Sequence, residues 1–185
     1  MIQRIQSFYL VLALCAFALC FMFPLASFEA TGTNVDTRVV SQLYLIPHTD
    51  AGEVDVLRQV EMGESLVTMP QRGVATTWPL AVVAALAGIL SLVSIFLFKN
   101  RMRQVRVVAC AFLLNVVYLF ILFIGQVDGY AKQVAAFGAQ VQAPEVSTTY
   151  SIATWAAVAS LLLLFLAQRS IKRDEAKVRA ADRLR

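Results

Sequence analysis

Few side chains in this chain have the chemistry of a catalytic or metal-binding site, and their spacing matches no catalytic motif. The only histidine, His48, follows Pro47 among turn residues, where a side chain is typically exposed to solvent. Five acids come soon after it: Asp50, Glu53, Asp55, Glu61 and Glu64. Their spacing lacks the central glycine and terminal glutamate of a calcium-binding loop. We therefore interpret them as a solvated acidic surface, and predict a protein that is not an enzyme and holds no cofactor or metal.

The three cysteines, Cys15, Cys20 and Cys110, all lie inside apolar runs. Neither a CxxC pair nor a histidine is near them, so the ligand set that a zinc site needs is missing. We interpret all three as small buried apolar side chains.

Asn115 and Tyr118 are polar side chains near the middle of the uncharged run 107–125. They are about one helical turn apart, so they share a helix face, which we expect to point to the interior of a helix bundle. Asn115 would there bond across helices, a contact that contributes on the order of 1 kcal/mol. The alternative is a cavity near Asn115 and Tyr118 that binds a lipid or a small molecule.

Long uncharged runs dominate the chain. Of its 185 residues, 59% are apolar and 15% are charged, against about half and about a quarter in soluble domains. The uncharged runs are residues 8–28, 78–98, 107–125 and 150–168. Each makes a helix of roughly 30 Å at about 1.5 Å per residue, which is the thickness of the hydrocarbon core of a bilayer. The sequence predicts a membrane all-α four-helix bundle with a small antiparallel β-sheet in the first extracytoplasmic loop.

The predicted organisation follows from these runs. It comprises a cytoplasmic N-terminus and first transmembrane helix at 1–28, an extracytoplasmic β-rich loop at 29–77, transmembrane helices two to four at 78–168 with a second outer loop at 127–149, and a cytoplasmic basic helical tail at 169–185. The first run resembles a signal peptide but is longer than a cleavable one. Pro24 is expected to kink or end its helix.

Lys99, Arg101, Arg103 and Arg106 separate the second run from the third and set the orientation of the chain. Short segments rich in Lys and Arg stay on the cytoplasmic side, so both termini are predicted to be cytoplasmic. Of the 16 lysines and arginines, 12 lie in short segments beside the predicted spans. The net charge of +4 is therefore explained by topology, and no nucleic-acid partner is predicted.

The first outer loop contains the patterns of β-strands. Residues 38–46 and 54–60 are rich in β-branched and aromatic residues and are separated by turn residues at 47–52, which predicts a hairpin. A third run, 64–70, would complete a three-stranded sheet, about the smallest that is stable without other support.

Two further patterns concern the helices. Ala84, Gly88 and Ser91 form a strip of small residues in the second span, which predicts a face that packs closely on a neighbouring helix. Beyond Gly125, apolar residues recur at helical spacing up to Val141, which predicts that a helix projects beyond the membrane before Pro144.

The basic segments hold the candidate contacts to lipid or to a protein partner. They are Arg4, Lys99, Arg101, Arg103, Arg106, Asp174, Glu175, Arg179, Arg183 and Arg185. Each cation near a membrane surface would attract anionic lipid with about 1 kcal/mol. The acids interspersed among these cations favour specific ion pairing over purely lipid binding. We therefore hypothesise that residues 169–185 prolong the fourth helix and dock on a cytoplasmic partner or on the basic loop at 99–106. Arg183 and Arg185 would contact acids or phosphates there.

Three stretches carry a resemblance to a known family: Met1-Ile-Gln-Arg-Ile-Gln6, Trp78-Pro79-Leu80, and the ending Ile171-Lys-Arg-Asp-Glu175 with Ala181-Asp-Arg-Leu-Arg185. The chain resembles, over its whole length, a family of uncharacterised four-span inner-membrane proteins from the Bacteroidetes. The resemblance implies a bacterial inner (cytoplasmic) membrane and carries no catalytic residue with it.

The leading functional hypothesis is a non-catalytic accessory or scaffolding subunit of a larger inner-membrane complex, with membrane lipids and other proteins as partners. The alternative is a lipid- or small-molecule-binding membrane protein that uses the cavity near Asn115 and Tyr118. An enzyme comes third, because the outer acids and His48 show no spacing that recommends them.

Overall fold

A computed structural model gives the structure of the chain, and it describes residues 3–31, 37–46, 56–58, 77–97, 100–140 and 145–183. The helices are α1 Gln3–Met22, α2 Trp78–Phe96, α3 Arg101–Phe120, α4 Asp128–Gln140 and α5 Ile152–Arg183, with a π-helix at Ile121–Val127 between α3 and α4. The strands are β1 Ala26–Thr31, β2 Thr37–Leu43, β3 Val56–Arg58 and β4 Glu145–Tyr150. The predicted combination of a mostly helical fold with a small antiparallel sheet is confirmed.

The chain divides into two compact units. The first comprises Met1–Leu19, Val82–Leu119 and Ala156–Arg185, and the second comprises Cys20–Ala81 and Phe120–Trp155. Most residues of α1, α2, α3 and α5 therefore belong to the first unit, whereas the strands and α4 belong to the second.

Buried residues of the first unit recur alternately three and four apart on each helix. They include Gln6, Leu10, Ala13 and Phe17 of α1, Ala84, Ala87, Ser91 and Ser94 of α2, Gln104, Val108, Ala111, Asn115 and Tyr118 of α3, and Ala157, Ser160, Leu164, Ala167, Ile171 and Asp174 of α5. A mean repeat of 3.5 residues is the spacing at which helices pack side by side with a left-handed supercoil. One apolar cluster with members from all four helices forms the core of this unit.

The strip of small residues on α2 faces α1. Ala84, Gly88 and Ser91 are buried, and a Cβ atom built on Gly88 would lie 3.7 Å from Cβ of Phe17. Small side chains allow two helix backbones to approach closely, and here the room is filled by the Phe17 ring. The predicted packing face is therefore the one that the structure uses.

The second unit contains a four-stranded antiparallel sheet in the order β3-β2-β1-β4. Central strand β1 pairs with β2 from Ala26↔Leu43 and with β4 from Ala26↔Tyr150. Phe28 of β1 is fully buried, and its ring lies 5.0 Å from that of Tyr130 on α4. The carbonyl of Leu25, just before β1, accepts a bond of 2.6 Å from Oγ1 of Thr154 on α5. The sheet thus packs on α4 and is tied to the start of α5.

The expectation that Pro24 ends the first helix is confirmed. α1 ends at Met22, two residues before Pro24, because proline disfavours helical geometry in the residue that precedes it. The uncharged run 8–28 extends past the helix because the strand that follows, β1, has buried apolar residues at alternate positions. One expectation about the sheet was wrong: it includes β4, from the predicted second outer loop, so it is not confined to the first. The predicted turn at 47–52 and third strand at 64–70 lie outside the described residues.

The boundaries of the later helices differ in detail from the prediction. Arg101, Arg103 and Arg106 lie in the first turns of α3 and not in a loop. Tyr150 was expected to begin the fourth span, but it ends β4, and α5 starts at Ile152. Beyond the third apolar run, α4 continues to Gln140, as its helical spacing predicts. The absence of a helix breaker correctly predicts that α5 runs on to Arg183.

Among the described residues, three helical segments are long and apolar enough to cross a membrane: Trp78–Phe96 with 19 residues, Arg101–Ala136 with 36 and Ile152–Lys177 with 26. The apolar segment of α1, Gln6–Met22, is shorter. These lengths define a membrane protein, since a spanning helix needs about 20 predominantly apolar residues.

Candidate functional site

Polar side chains occupy the inward-facing positions just beyond the apolar core of the first unit. They are Gln6 of α1, Ser94 of α2, Gln104 of α3 and Asp174 of α5, and we call them the polar layer. Each is buried, with at most 8% of its surface exposed. The neighbouring inward positions, such as Leu10, Val108 and Ile171, belong to the apolar core. The core of the first unit therefore ends in a layer of hydrogen-bonding groups.

Two hydrogen bonds connect the polar layer. The side-chain amide of Gln6 donates to Oδ2 of Asp174, which ties the start of α1 to α5. The amide of Gln104 donates to the backbone carbonyl of Ser94 over 3.1 Å, which ties α3 to the end of α2. A buried carboxylate without a donor would cost several kcal/mol, so the Gln6 amide is what allows Asp174 to take an inward position.

Asn115 and Tyr118 lie deeper in the first unit, and both are fully buried. Nδ2 of Asn115 donates to Oγ of Ser160 on α5 over 2.7 Å. The Ser160 hydroxyl in turn donates to the backbone carbonyl of Ala157 over 2.7 Å. The sequence identified Asn115 as a residue that bonds across helices, but it did not identify Ser160 as the acceptor.

Exposed cations surround the same end of the first unit as the polar layer. They are Arg103 and Arg106 of α3 and Arg169, Lys172, Arg173 and Lys177 of α5. We call these six residues the basic rim. The only acids within 169–177 are Asp174, which is buried, and Glu175, which is half-buried. The exposed charge of this part of the surface is therefore positive.

The remaining predicted contact residues are distributed differently. Arg101 is half-buried at the start of α3. Arg4 lies in α1, and Arg179 and Arg183 lie in the last part of α5. Lys99 and Arg185 lie outside the described residues, as do His48 and the five acids that follow it. Of the predicted set, Arg103, Arg106, Asp174 and Glu175 lie at the same end of the first unit.

No metal or thiol chemistry is evident in the part of the chain that the structure describes. Those residues contain no group of three or more His, Cys, Asp or Glu side chains that could hold a metal ion. All three cysteines are described, and none is in a disulfide. Cys20 is buried, as predicted, and its thiol contacts the backbone carbonyl oxygen of Ala153 at 3.4 Å. The prediction was wrong for Cys15 and Cys110, which are exposed. An apolar run does not reveal which face of its helix points outward.

Sequence reasoning missed Gln6, Ser94, Gln104 and Ser160 as functional or structural polar residues. Gln6 was noted only as part of the N-terminal motif, although it stands four residues before Leu10 on the buried face of α1. A search for polar residues that continue the three-and-four spacing of buried positions would have found all four.

The fold and its polar ties define a class: an α-helical membrane protein with a small antiparallel sheet. Comparison with known families identifies it further. A family model described as "Domain of unknown function (DUF4293)" matches residues 2–184, and the chain belongs to this family. A search of curated proteins finds no match.

Proposed function

We propose that the chain is an integral inner-membrane protein that spans the membrane four times as a four-helix bundle and serves as a non-catalytic accessory or scaffolding subunit of a larger complex. The observation that carries this proposal is the division of side chains in the first unit. Buried polar groups are engaged in ties between its own helices. Large apolar side chains point outward, including Phe8, Ile89, Leu113 and Leu162, each more than half exposed.

The fourth span in this proposal is α1. Its apolar segment Gln6–Met22 has 17 residues, or about 25 Å at 1.5 Å per residue, which is at the short end of the range for spanning helices. Its buried face belongs to the same apolar cluster as those of α2, α3 and α5. A helix that shares a core with three spanning helices is expected to share their membrane.

The orientation in this proposal rests on charge. The basic rim and Arg4 lie beside the spans, and Lys and Arg next to spans are retained on the cytoplasmic side. Both termini are therefore placed in the cytoplasm, and residues 29–77 and 127–149 outside.

An accessory role is supported by the outward faces of the helices. Leu86, Ile89, Val93 and Phe96 of α2 recur three and four apart and are 38–70% exposed. In a membrane, such a face contacts either lipid tails or the apolar helix of another subunit. A scaffolding subunit needs this kind of surface and needs no reaction site.

Site-specific photo-crosslinking tests the proposal. A photoreactive amino acid is placed at outward positions 89, 113 and 162 of the full chain, expressed at native level. Inward positions 87, 111 and 164 are the matched controls on the same three helices. We expect at least one outward position to give a crosslinked species of defined mass above that of the chain, and the inward positions to give none. If no outward position gives a protein adduct and mild-detergent purification recovers only the chain itself, the scaffolding function fails.

One observation favours the second candidate, a lipid- or small-molecule-binding protein. Oδ1 of Asn115 is buried and has no hydrogen-bond partner among the described residues. Buried acceptors are usually paired, so this atom is where a donor group of a ligand would bind. Asn115→Leu removes the acceptor, whereas Ser160→Ala removes only the bond from Nδ2. A ligand function predicts that Asn115→Leu alone loses bound material from a native preparation. An unchanged phenotype in a folded Asn115→Leu variant counts against it.

A further inference from the structure

We propose that the basic rim binds the phosphate headgroups of anionic phospholipids at the cytoplasmic surface of the membrane. The inference rests on the proposed membrane orientation and names the partner of that surface. It starts from where the cations lie on their helices.

The cations of α5 lie on the face opposite to its buried side chains. At 100° per residue, Arg169, Lys172, Arg173 and Lys177 group on one side of the helix, whereas Ile171 and Asp174 are on the other. Their exposure agrees with this placement. Arg103 and Arg106 of α3 likewise lie away from the buried Gln104 and Val108. The rim therefore faces the surroundings of the bundle and not its interior.

The height of the cations along their helices matches the headgroup layer. The uncharged part of α5 ends at Gln168 and that of α3 begins at Val107, so Arg169 and Arg106 directly adjoin the apolar spans. The headgroup region of a bilayer is about 5–8 Å thick on each side, which is half the difference between a total thickness of about 40–45 Å and a hydrocarbon core of about 30 Å. The rise from Arg169 to Arg173 is about 6 Å at 1.5 Å per residue. These cations thus fall at the depth of lipid phosphates.

The buried position of Asp174 removes one negative charge from the rim, where Glu175 is half-buried and the six cations are exposed. Asp174 stands in the middle of the rim sequence, between Arg173 and Lys177. Its side chain is turned inward and accepts the bond from Gln6. An exposed carboxylate at this place would repel phosphate and neutralise one cation. Because the Gln6 bond holds Asp174 inward, the exposed cations can attract anionic lipid headgroups. Each cation near the membrane surface contributes about 1 kcal/mol to this attraction.

A protein partner with an acidic segment would also suit positive charge. The arrangement favours lipid, because the cations are spread over the outward faces of two helices directly beside apolar side chains such as Phe165 and Leu166, which are 48% and 41% exposed. A surface with apolar groups next to cations matches a phospholipid, whose acyl chain adjoins its phosphate.

The test uses the purified full chain in mild detergent and native mass spectrometry with added phosphatidylglycerol or zwitterionic phosphatidylcholine. The variant is Arg169→Gln/Lys172→Gln/Arg173→Gln. Its matched controls are Lys132→Gln, an exposed cation of α4 outside the rim, and the charge-conserving Arg169→Lys/Arg173→Lys. All altered side chains are exposed, so thermal unfolding should be unchanged and serves as the check on folding.

The parent is expected to retain phosphatidylglycerol in preference to phosphatidylcholine. The triple variant should lose affinity for phosphatidylglycerol by roughly 100-fold, as three cations at about fivefold each imply. Both controls should bind like the parent, and added salt should weaken the binding. Equal retention of both lipids, or a folded triple variant that still binds phosphatidylglycerol, would overturn the inference.

Two competition experiments identify the kind of molecule that the site binds. Inorganic phosphate should weaken lipid binding no more than sodium chloride of the same ionic strength does. Stronger displacement by phosphate would show a site for free anion only. An acidic peptide that displaces the lipid at equal concentration would show a protein site and overturn the assignment. The assay needs neither a partner subunit nor an orientation, so a negative result here is separate from failure of the crosslinking experiment.

Discussion

The side-chain amide of Gln6 donates a hydrogen bond to Oδ2 of Asp174, a residue 168 positions further along the chain. Both groups are buried, with 6% and 8% of their surface exposed. The two residues belong to the N-terminal and C-terminal stretches on which the sequence resemblance rests. The structure therefore gives a physical reason for pairing these stretches: one supplies the donor that the buried carboxylate of the other requires.

The first prediction concerns this bond. Gln6→Leu leaves a buried carboxylate without its donor and should lower the free energy of unfolding in detergent by about 1.5–3 kcal/mol, the range for a bond to a charged group. Gln6→Leu combined with Asp174→Leu removes both partners and should be more stable than either single variant, because apolar pairs of similar shape are close to neutral. Phe8→Leu, on the exposed side of α1, is the control. Additive losses in the double variant would show that the two side chains are not coupled.

The second prediction concerns the contact between α1 and α2. A Cβ at Gly88 would meet Phe17 at ordinary van der Waals distance, 3.7 Å, so Gly88→Ala should be tolerated or stabilise the fold by up to about 1 kcal/mol through helix propensity. Gly88→Leu should destabilise by about 1–3 kcal/mol, because the larger side chain overpacks the site.

Thermal unfolding measures both variants, with Val82→Leu on the exposed face of α2 as the control. Phe17→Ala should cost less in the Gly88→Leu background than in the parent, since the leucine fills part of the space that the ring leaves. Equal costs in the two backgrounds would mean that Gly88 and Phe17 do not face each other.

The third prediction concerns the sheet. Phe28→Ala should destabilise the fold by about 3–5 kcal/mol, because the ring is fully buried against Tyr130. Phe23→Ala, the same truncation at a side chain that is 43% exposed, is the matched control and should cost much less. A peptide covering residues 25–77 should show no cooperative transition, because it lacks β4 and α4, which flank the central strand. A cooperative thermal transition in that peptide would contradict this account.

The helices were largely predictable because their information is local. The length of an uncharged run and the small residues around Gly88 each concern one helix, and each led to a correct expectation. Pro24 likewise led to a correct expectation for the end of α1. The uncharged run continues beyond Pro24 for a different reason: Ala26, Phe28 and Ala30 form the buried face of a strand.

Pairings between distant segments were less predictable. Ala26 pairs with Tyr150 in the sheet, whereas composition alone predicts that Tyr150 begins a membrane span. Gln6 and Asp174 are likewise joined only when α1 and α5 lie side by side. In both cases the type of each residue is compatible with its neighbours in sequence and does not point to a distant partner. The partner is determined only when the chain packs. The acids among the cations of the tail led to the hypothesis of a partner protein or of residues 99–106 as the docking surface, whereas the partner of Asp174 is Gln6 of α1.

The last prediction is the topology, in which both termini are cytoplasmic and the loops 29–77 and 127–149 are outside. It is tested with single cysteines in a variant that lacks Cys15, Cys20 and Cys110. Thr149→Cys on β4 and Ala176→Cys on α5 are suitable because both positions are exposed. Accessibility to a membrane-impermeant maleimide then depends on the side of the membrane and not on burial.

In intact spheroplasts, the cysteine at 149 should label and the one at 176 should not, whereas both should label after the membrane is permeabilised. The physical reason is that Arg169, Lys172 and Arg173 directly follow the span of α5, and their retention in the cytoplasm fixes its direction. Labelling of the parent at 176 from outside would reverse the orientation and place the basic rim on the outer surface.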